Sequence, residues 1–377
     1  MVCSVLALHN IMRTAPVTVV EELRLRYAVD YARIGNVIGA YTLTYGLAQL
    51  AAGLLTDRVG SRRLMLLGLA LAAIGATAFA AARSYPAALA ARLLMGVAGG
   101  CLYTPTLAYA FAAFPPGLRG RVMGFAEAGV GAGQVLAVVG IPLLFGAAGL
   151  TGAFLAVPLI AAGLAAAVAL GLRPIAAVHR AGRGSVRALA RSRDFWLLLV
   201  GFAFVGMLAQ IAVLAWLPTY LRRVHGLGVT AAGLSTGIVV AGLMVFSPVF
   251  GAVSDRAATR RPVMLIGAAM AVTGFAVLLV AGHPAVAVAA AVLVSASMAA
   301  TIPTQAVFAS ERFAAVGAGA AIGIVNAGGQ VAASVGGPLY GALLDGGLGF
   351  AAVWGVATAL GLVRVAAVLG LREPPRR

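Results

Sequence analysis

Stretches of about twenty apolar residues alternate with short polar or basic turns along the whole chain. A bilayer core about 30 Å thick is crossed by roughly twenty helical residues, so each stretch predicts one membrane-spanning helix. By that measure the chain divides into twelve segments, over residues 2–20, 34–56, 63–82, 86–112, 120–144, 149–172, 195–221, 229–253, 262–281, 284–309, 315–343 and 347–371. The one long polar interval, residues 173–194, separates six spans from six. It predicts a linker between two six-helix domains, 1–172 and 195–377. The expected fold class is therefore an all-α membrane protein of twelve transmembrane helices. Residues 1–20 are read as the first span, because no basic region precedes the apolar run and no small-residue cleavage site follows it.

Composition strengthens this reading. With 62% hydrophobic and 10% charged residues, the chain has too little polar surface to cover a soluble globule of 377 residues. The 49 glycines suit helices that associate in lipid by close backbone approach. A net charge of +17 would suggest nucleic acid in a soluble protein, but all 27 basic residues are Arg and most lie in turns between apolar runs. With the linker in the cytoplasm, eighteen Arg fall inside, six outside and three within spans, which is the asymmetry of the positive-inside rule. Both termini are then cytoplasmic, and no nucleic-acid partner is implied. The first external loop holds Glu21, Glu22, Arg24, Arg26, Asp30 and Arg33, where acid and base nearly cancel. The absence of Lys suggests a GC-rich bacterial genome and so a bacterial inner membrane. Cys3 and Cys101 sit in apolar runs without partner spacing, so neither a disulfide nor a metal is expected. No cofactor is implied.

The chain is internally duplicated. Gly53-Leu-Leu-Thr-Asp57-Arg58-Val-Gly60-Ser-Arg62-Arg63 returns 198 positions later as Gly251-Ala-Val-Ser-Asp255-Arg256-Ala-Ala258-Thr-Arg260-Arg261. Each copy stands where an apolar run meets a basic turn. This Gly-x-x-x-Asp-Arg-x-Gly-x-Arg-Arg signature resembles that of the major facilitator superfamily of secondary transporters, over nearly the whole chain. The resemblance implies two pseudo-symmetric six-helix bundles around a midplane cavity, alternating access, and a monomer without a bound cofactor. It also implies that Asp57 and Asp255, with Arg58, Arg256 and the Arg pairs 62/63 and 260/261, form gate latches that favour one state of the carrier. The other reading of the Arg pairs is that they set topology. The second copy has Ala258 where the pattern has glycine. The superfamily usually has a cytoplasmic lead-in before the first span, which here begins at Met1.

Three arginines lie inside spans, where charge is costly and therefore functional or paired. Arg13 falls near the middle of the first span, in Leu8-His9-Asn10-Ile11-Met12-Arg13-Thr14-Ala15-Pro16. This stretch resembles the first helix of the organic-anion branches of the superfamily, in which a mid-helix Arg binds substrate carboxylate. Met12 stands where those branches often have an acid. The alternative is a structural ion pair with Glu127 or with another helix, and His9 one turn earlier is a cavity candidate. Arg92, in Arg92-Leu-Leu-Met-Gly96-Val-Ala-Gly-Gly100, resembles the fourth-helix motif associated with proton coupling. The bland reading is an Arg that snorkels outward. Glu127, the only acid well inside a span, is a candidate proton carrier or a neutral structural Glu. Arg364 is near enough to the inner end of the last span to snorkel.

Gln210, Asn326 and Gln330 lie at mid-helix depth and are expected to hydrogen-bond the substrate. Gln49, Thr301, Thr304 and Gln305 offer the same chemistry or join helices. The fifth span, Gly124-Phe-Ala-Glu127-Ala-Gly129-Val-Gly131-Ala-Gly133-Gln134, lacks the Gly-Pro motif of proton-coupled drug exporters. The expected function is proton-coupled uptake of a small organic anion. Two alternatives stand beside it: proton-antiport efflux of a hydrophobic drug or metabolite, and a non-transporting module on a transporter fold. No Ser/His/Asp, metal or phosphate-binding constellation points to an enzyme.

Overall fold

The structure is a computed structural model that describes residues 1–114, 119–173, 189–256, 259–313 and 318–372. Among these residues every regular element is a helix. They are α1 (Val2–Thr14), α2 (Val20–Tyr27), α3 (Tyr31–Val59), α4 (Ser61–Ala81), α5 (Tyr85–Ala113), α6 (Arg119–Gly171), α7 (Arg193–Arg223), α8 (Val229–Arg256), α9 (Arg261–Val280), α10 (Pro284–Arg312), α11 (Ala318–Asp345) and α12 (Gly349–Gly370). A 3-10 turn, Ala15–Val19, joins α1 to α2.

Nine described segments are long and apolar enough to cross a membrane. One of them, Ala128–Gly171, is 44 residues long and is two passes rather than one. It reverses at Gly149, whose φ of +66° and ψ of −178° break the helical run without a separate loop. That φ lies where only glycine avoids a clash of Cβ with the backbone. With α1 and α2 forming one pass, and α3 and α11 completing the set, the segments match the twelve expected spans.

The first span differs from its expected bounds. The apolar run stops at Val20, but the helix continues to Tyr27. Four of the charged residues expected in an external loop instead build α2, while Asp30 caps α3 and Arg33 lies within it. Glu21 and Glu22 occupy its first turn and Arg24 and Arg26 its last, the order that the helix dipole favours. Arg24 pairs with Glu21 at 3.3 Å, and Arg26 donates to the Ala80 carbonyl at 3.0 Å and to the Thr151 hydroxyl at 3.1 Å.

The chain forms two compact units, Met1–Arg180 with Leu227–Gly237, and Ala181–Gly226 with Ile238–Arg377. The first two turns of α8 thus group with the first unit, where a Cβ added at Gly233 would lie 2.5 Å from the Val138 carbonyl of α6. In that unit α1 packs on α6 through small residues, as lipid-embedded helices do. A Cβ at Gly129 would lie 2.7 Å from the Cys3 carbonyl, and one at Gly133 would collide with Ala7. In the second unit, α7 lies against α12 at Gly201 and Gly206 and against α11 at Gly328 and Gly336. Part of α7 is a π-helix, Leu197–Phe204.

Candidate substrate and coupling site

The break after α1 follows from Pro16. Proline lacks the N–H that would close the helical bond to the Met12 carbonyl, and the helix tightens there into the 3-10 turn. Arg92 of α5 supplies the missing donor. Its Nη1 donates to the Met12 carbonyl at 2.5 Å, its Nη2 to the Arg13 carbonyl at 3.3 Å and its Nε to the Val37 carbonyl at 3.1 Å. The side chain is 0% exposed, and its guanidinium lies 4.7 Å from the Tyr41 ring centre. Arg92 therefore does not snorkel. It pins the first span at its break.

Tyr41 extends this contact to His9. Its hydroxyl donates to the His9 carbonyl at 3.0 Å and lies 2.8 Å from His9 Nδ1. Gly99 permits this, since a Cβ there would come within 2.5 Å of the Tyr41 hydroxyl and 2.8 Å of His9 Nδ1. The His9 ring also lies 4.6 Å from the ring of Tyr45 and 5.7 Å from that of Tyr103. The result is a buried aromatic and polar cluster drawn from α1, α3 and α5. Sequence reasoning named His9 but missed the three tyrosines, although Tyr41 and Tyr45 are spaced one turn apart.

Arg13 stands one turn beyond His9, two residues before the 3-10 turn. It is half-buried, and among the described residues its side chain makes no hydrogen bond or ion pair. The Glu127 side chain lies outside the described residues, but its backbone belongs to α6. The Gly129–Cys3 and Gly133–Ala7 contacts set α1 and α6 in parallel register, which puts the backbone of Glu127 level with the start of α1. At 1.5 Å per residue, Arg13 lies roughly 18 Å further along the axis. An Arg and a Glu side chain do not bridge that distance, which argues against Glu127 in particular as the partner of Arg13.

In the second unit, Gln210 and Gln330 are buried on α7 and α11, and Gln210 Nε2 and Gln330 Oε1 have no hydrogen-bond partner among the described residues. Buried amide atoms of this kind usually find a partner. Asn326 is exposed on α11 and has an interaction of its own. Thr301 and Thr304 instead donate to the carbonyls one turn back, Ser297 and Ala300, and the Thr301 methyl packs at Gly267.

At the duplicated motif Arg62, Arg260 and Arg261 bond inside their own units. Arg62 Nη2 donates to the Ala169 carbonyl at 2.6 Å, at the end of α6. Arg261 donates to the Val368 carbonyl at 3.1 Å and to that of Leu369, at the end of α12. Both side chains cap a helix C-terminus, and at Val368 the arginine shares the carbonyl with the Leu371 N–H. Arg260 pairs with Glu311 at 2.9 Å, while Arg58 and Arg63 are exposed. Gly53 faces Thr104 at ordinary distance, and Gly60 ends α3 at φ +91°. The side chains of Asp57, Asp255 and Arg256, the surroundings of Gly251, and all of Ala258 lie outside the described residues.

Two charged residues are placed differently from expectation. Arg364 does not reach the interface: it is 3% exposed, and its guanidinium lies 4.2 Å from the Phe202 ring centre in space left by Gly206. Its Nε and Nη1 have no partner among the described residues. Asp194, at the end of the expected linker, is buried and accepts from Arg312 at 2.6 and 2.8 Å and from the Arg372 backbone N–H at 3.4 Å.

The family model described as the Major Facilitator Superfamily matches residues 2–318 and 226–377. The chain belongs to that superfamily. A probable L-galactonate transporter of Escherichia coli K12 is 26% identical over 246 residues, covering 60% of this chain and 53% of that protein. The alpha-ketoglutarate permease of the same organism is 27% identical over 243 residues, covering 58% and 55%. The matches thus span about half the length of these curated relatives. A solved D-xylose-proton symporter aligns with a TM-score of 0.79 at 17% identity, covering 100% of this chain and 98% of that one, and so shares the fold of this superfamily member. These relatives are transporters, not enzymes.

Proposed function

We propose that this chain is a secondary transporter that takes up a small carboxylate together with protons by alternating access. The observation that carries the proposal is Arg13, a half-buried cation in the middle of the first span, without a protein counter-ion among the described residues. A cation held in lipid without a partner favours an anionic ligand. Its position is fixed from behind by Arg92, and the nearby cluster of His9, Tyr41, Tyr45 and Tyr103 supplies ring faces and hydrogen-bonding groups. The names of two relatives, L-galactonate transporter and alpha-ketoglutarate permease, are those of carboxylate carriers.

In this reading Gln210, Gln330 and Asn326 are hydrogen-bonding groups for the substrate. Glu127 carries the proton at a point about 18 Å from Arg13 along the helix axis, so proton and anion are coupled through helix movement rather than direct contact. Arg92 acts by positioning the break beside Arg13. The Asp57 and Asp255 tracts serve as gates. The arginine asymmetry supports a linker and termini on the cytoplasmic face of a bacterial inner membrane, and the carrier works as a monomer.

The test is uptake of a panel of small carboxylates into proteoliposomes under an inward proton gradient. Arg13→Ala should abolish gradient-driven accumulation, and Arg13→Lys should retain part of it. Removing one partner of a buried charge contact costs about 2–5 kcal/mol, at least a tenfold loss. Full transport with unchanged affinity in Arg13→Ala would sink the proposal. Gradient-driven movement of lipophilic cations that survives the substitution would favour efflux instead.

A further inference from the structure

At the linker end of the second unit, an open groove of about 590 Å³ runs between α7 and α12. Leu197, Val200 and Gly201 form one wall, and Val363, Ala366 and Ala367 form the other. Gly201 and Ala367 bring the helices together at the floor, where a Cβ on the glycine would collide with Ala367. The α7 wall belongs to the π-helical segment, whose wider turn is a local departure often found at functional sites. The walls are wholly aliphatic and Val200 is about half exposed.

The mouth of the groove is polar and cationic. Arg193 lines it, is exposed and makes no hydrogen bond or ion pair among the described residues. The acid beside it, Asp194, is already taken by Arg312 and by the Arg372 backbone, so it does not neutralise Arg193. Trp196, 49% exposed, stands at the same mouth with its Nε1 donating to the Ala190 carbonyl at 2.8 Å. Half-exposed tryptophan with a bonded N–H is the usual occupant of the membrane interface. An aliphatic channel beneath a free cation and an interfacial indole matches an amphiphile with an anionic head and an acyl tail.

We propose that this groove binds an anionic phospholipid of the surrounding leaflet, with the phosphate at Arg193 and one acyl chain along Leu197, Val200, Val363 and Ala366. Basic pockets between spans on the cytoplasmic side recognise anionic headgroups in this way. The assignment of that leaflet as cytoplasmic rests on the topology proposed above, whereas the binding itself does not.

Trp196 supplies the readout. The full chain in micelles is titrated with phosphatidylglycerol or phosphatidylcholine bearing brominated acyl chains, which quench indole fluorescence on contact. Quenching by the anionic lipid should reach its midpoint at about fivefold lower concentration, as expected of the ~1 kcal/mol that one basic residue contributes near an anionic surface. Arg193→Gln, a surface change whose folding is checked by gel filtration, should bring the two midpoints together. Trp196→Phe should remove the lipid-dependent quench, since Trp216 and Trp354 are buried. Equal midpoints in the unaltered protein, a preference that survives Arg193→Gln, or quenching that survives Trp196→Phe each overturn the proposal. The assay contains no transported substrate, so failure of the carboxylate reading leaves its outcome unaffected.

Discussion

Pro16 and Arg92 act as one unit although 76 positions separate them. The proline removes a donor from the Met12 carbonyl and the arginine replaces it. Arg92→Met should lower thermal stability by about 1–3 kcal/mol, the cost of a buried acceptor left without a partner. Combined with Pro16→Ala, which restores an N–H at residue 16, the loss should fall below the sum of the single changes by roughly 0.5–3 kcal/mol. Strictly additive losses in the same detergent would mean that Arg92 is not substituting for that donor. Each residue was conspicuous in the sequence, but their pairing was not, because it depends on the register of α5 against α1. Arg364 was misjudged for a related reason. A span that is apolar all round carries no periodic signal separating its lipid face from its protein face, so depth could be read from position but burial could not. The aromatic cluster around His9 escaped notice likewise.

Helix ends were legible to within a few residues wherever a basic or glycine-rich turn followed the apolar run. They were not where charge stayed helical, as in α2, or where a single glycine replaced a loop, as at Gly149. The twin caps of Arg62 on α6 and Arg261 on α12 also needed the structure. They give the basic turns a local task besides topology. Arg62→Ala and Arg261→Ala should each lower the unfolding midpoint by an amount corresponding to about 0.3–1 kcal/mol, the range for a cation at a helix C-terminus. The two losses should add, because the sites lie in different units. Unchanged midpoints in both variants, with membrane orientation altered, would return these residues to a purely topological role.

At the scale of the whole molecule, the superfamily fold and the duplication were readable from apolar runs and one repeated tract, while proton coupling and substrate remain assigned by proposal. The loop after α7 adds a pH dependence. Burial, and then the nearby charge of His283, hold His225 below its ordinary pKa of 6.5, and its ring packs edge-on to Tyr220 at 5.0 Å. The unfolded chain therefore binds more protons here than the folded one. Stability from this site is present above pH 6.5 and is lost as the pH falls towards the lowered folded value. Thermal unfolding followed from pH 7.5 to 5 should show a decline that His225→Gln makes shallower, and an identical decline in the variant would exclude His225 as its source. The duplication itself is not uniform. Gly53 and Gly251 are 198 positions apart, but the caps Arg62 and Arg261, their acceptors Ala169 and Val368, and the buried pair Met65 and Met264 are each 199 apart. The second loop is therefore one residue longer than the first. Anyone recombining the halves must change offset across that loop, because a graft carried past it at the wrong spacing turns every following helix by about 100° and presents its glycine stripe to lipid.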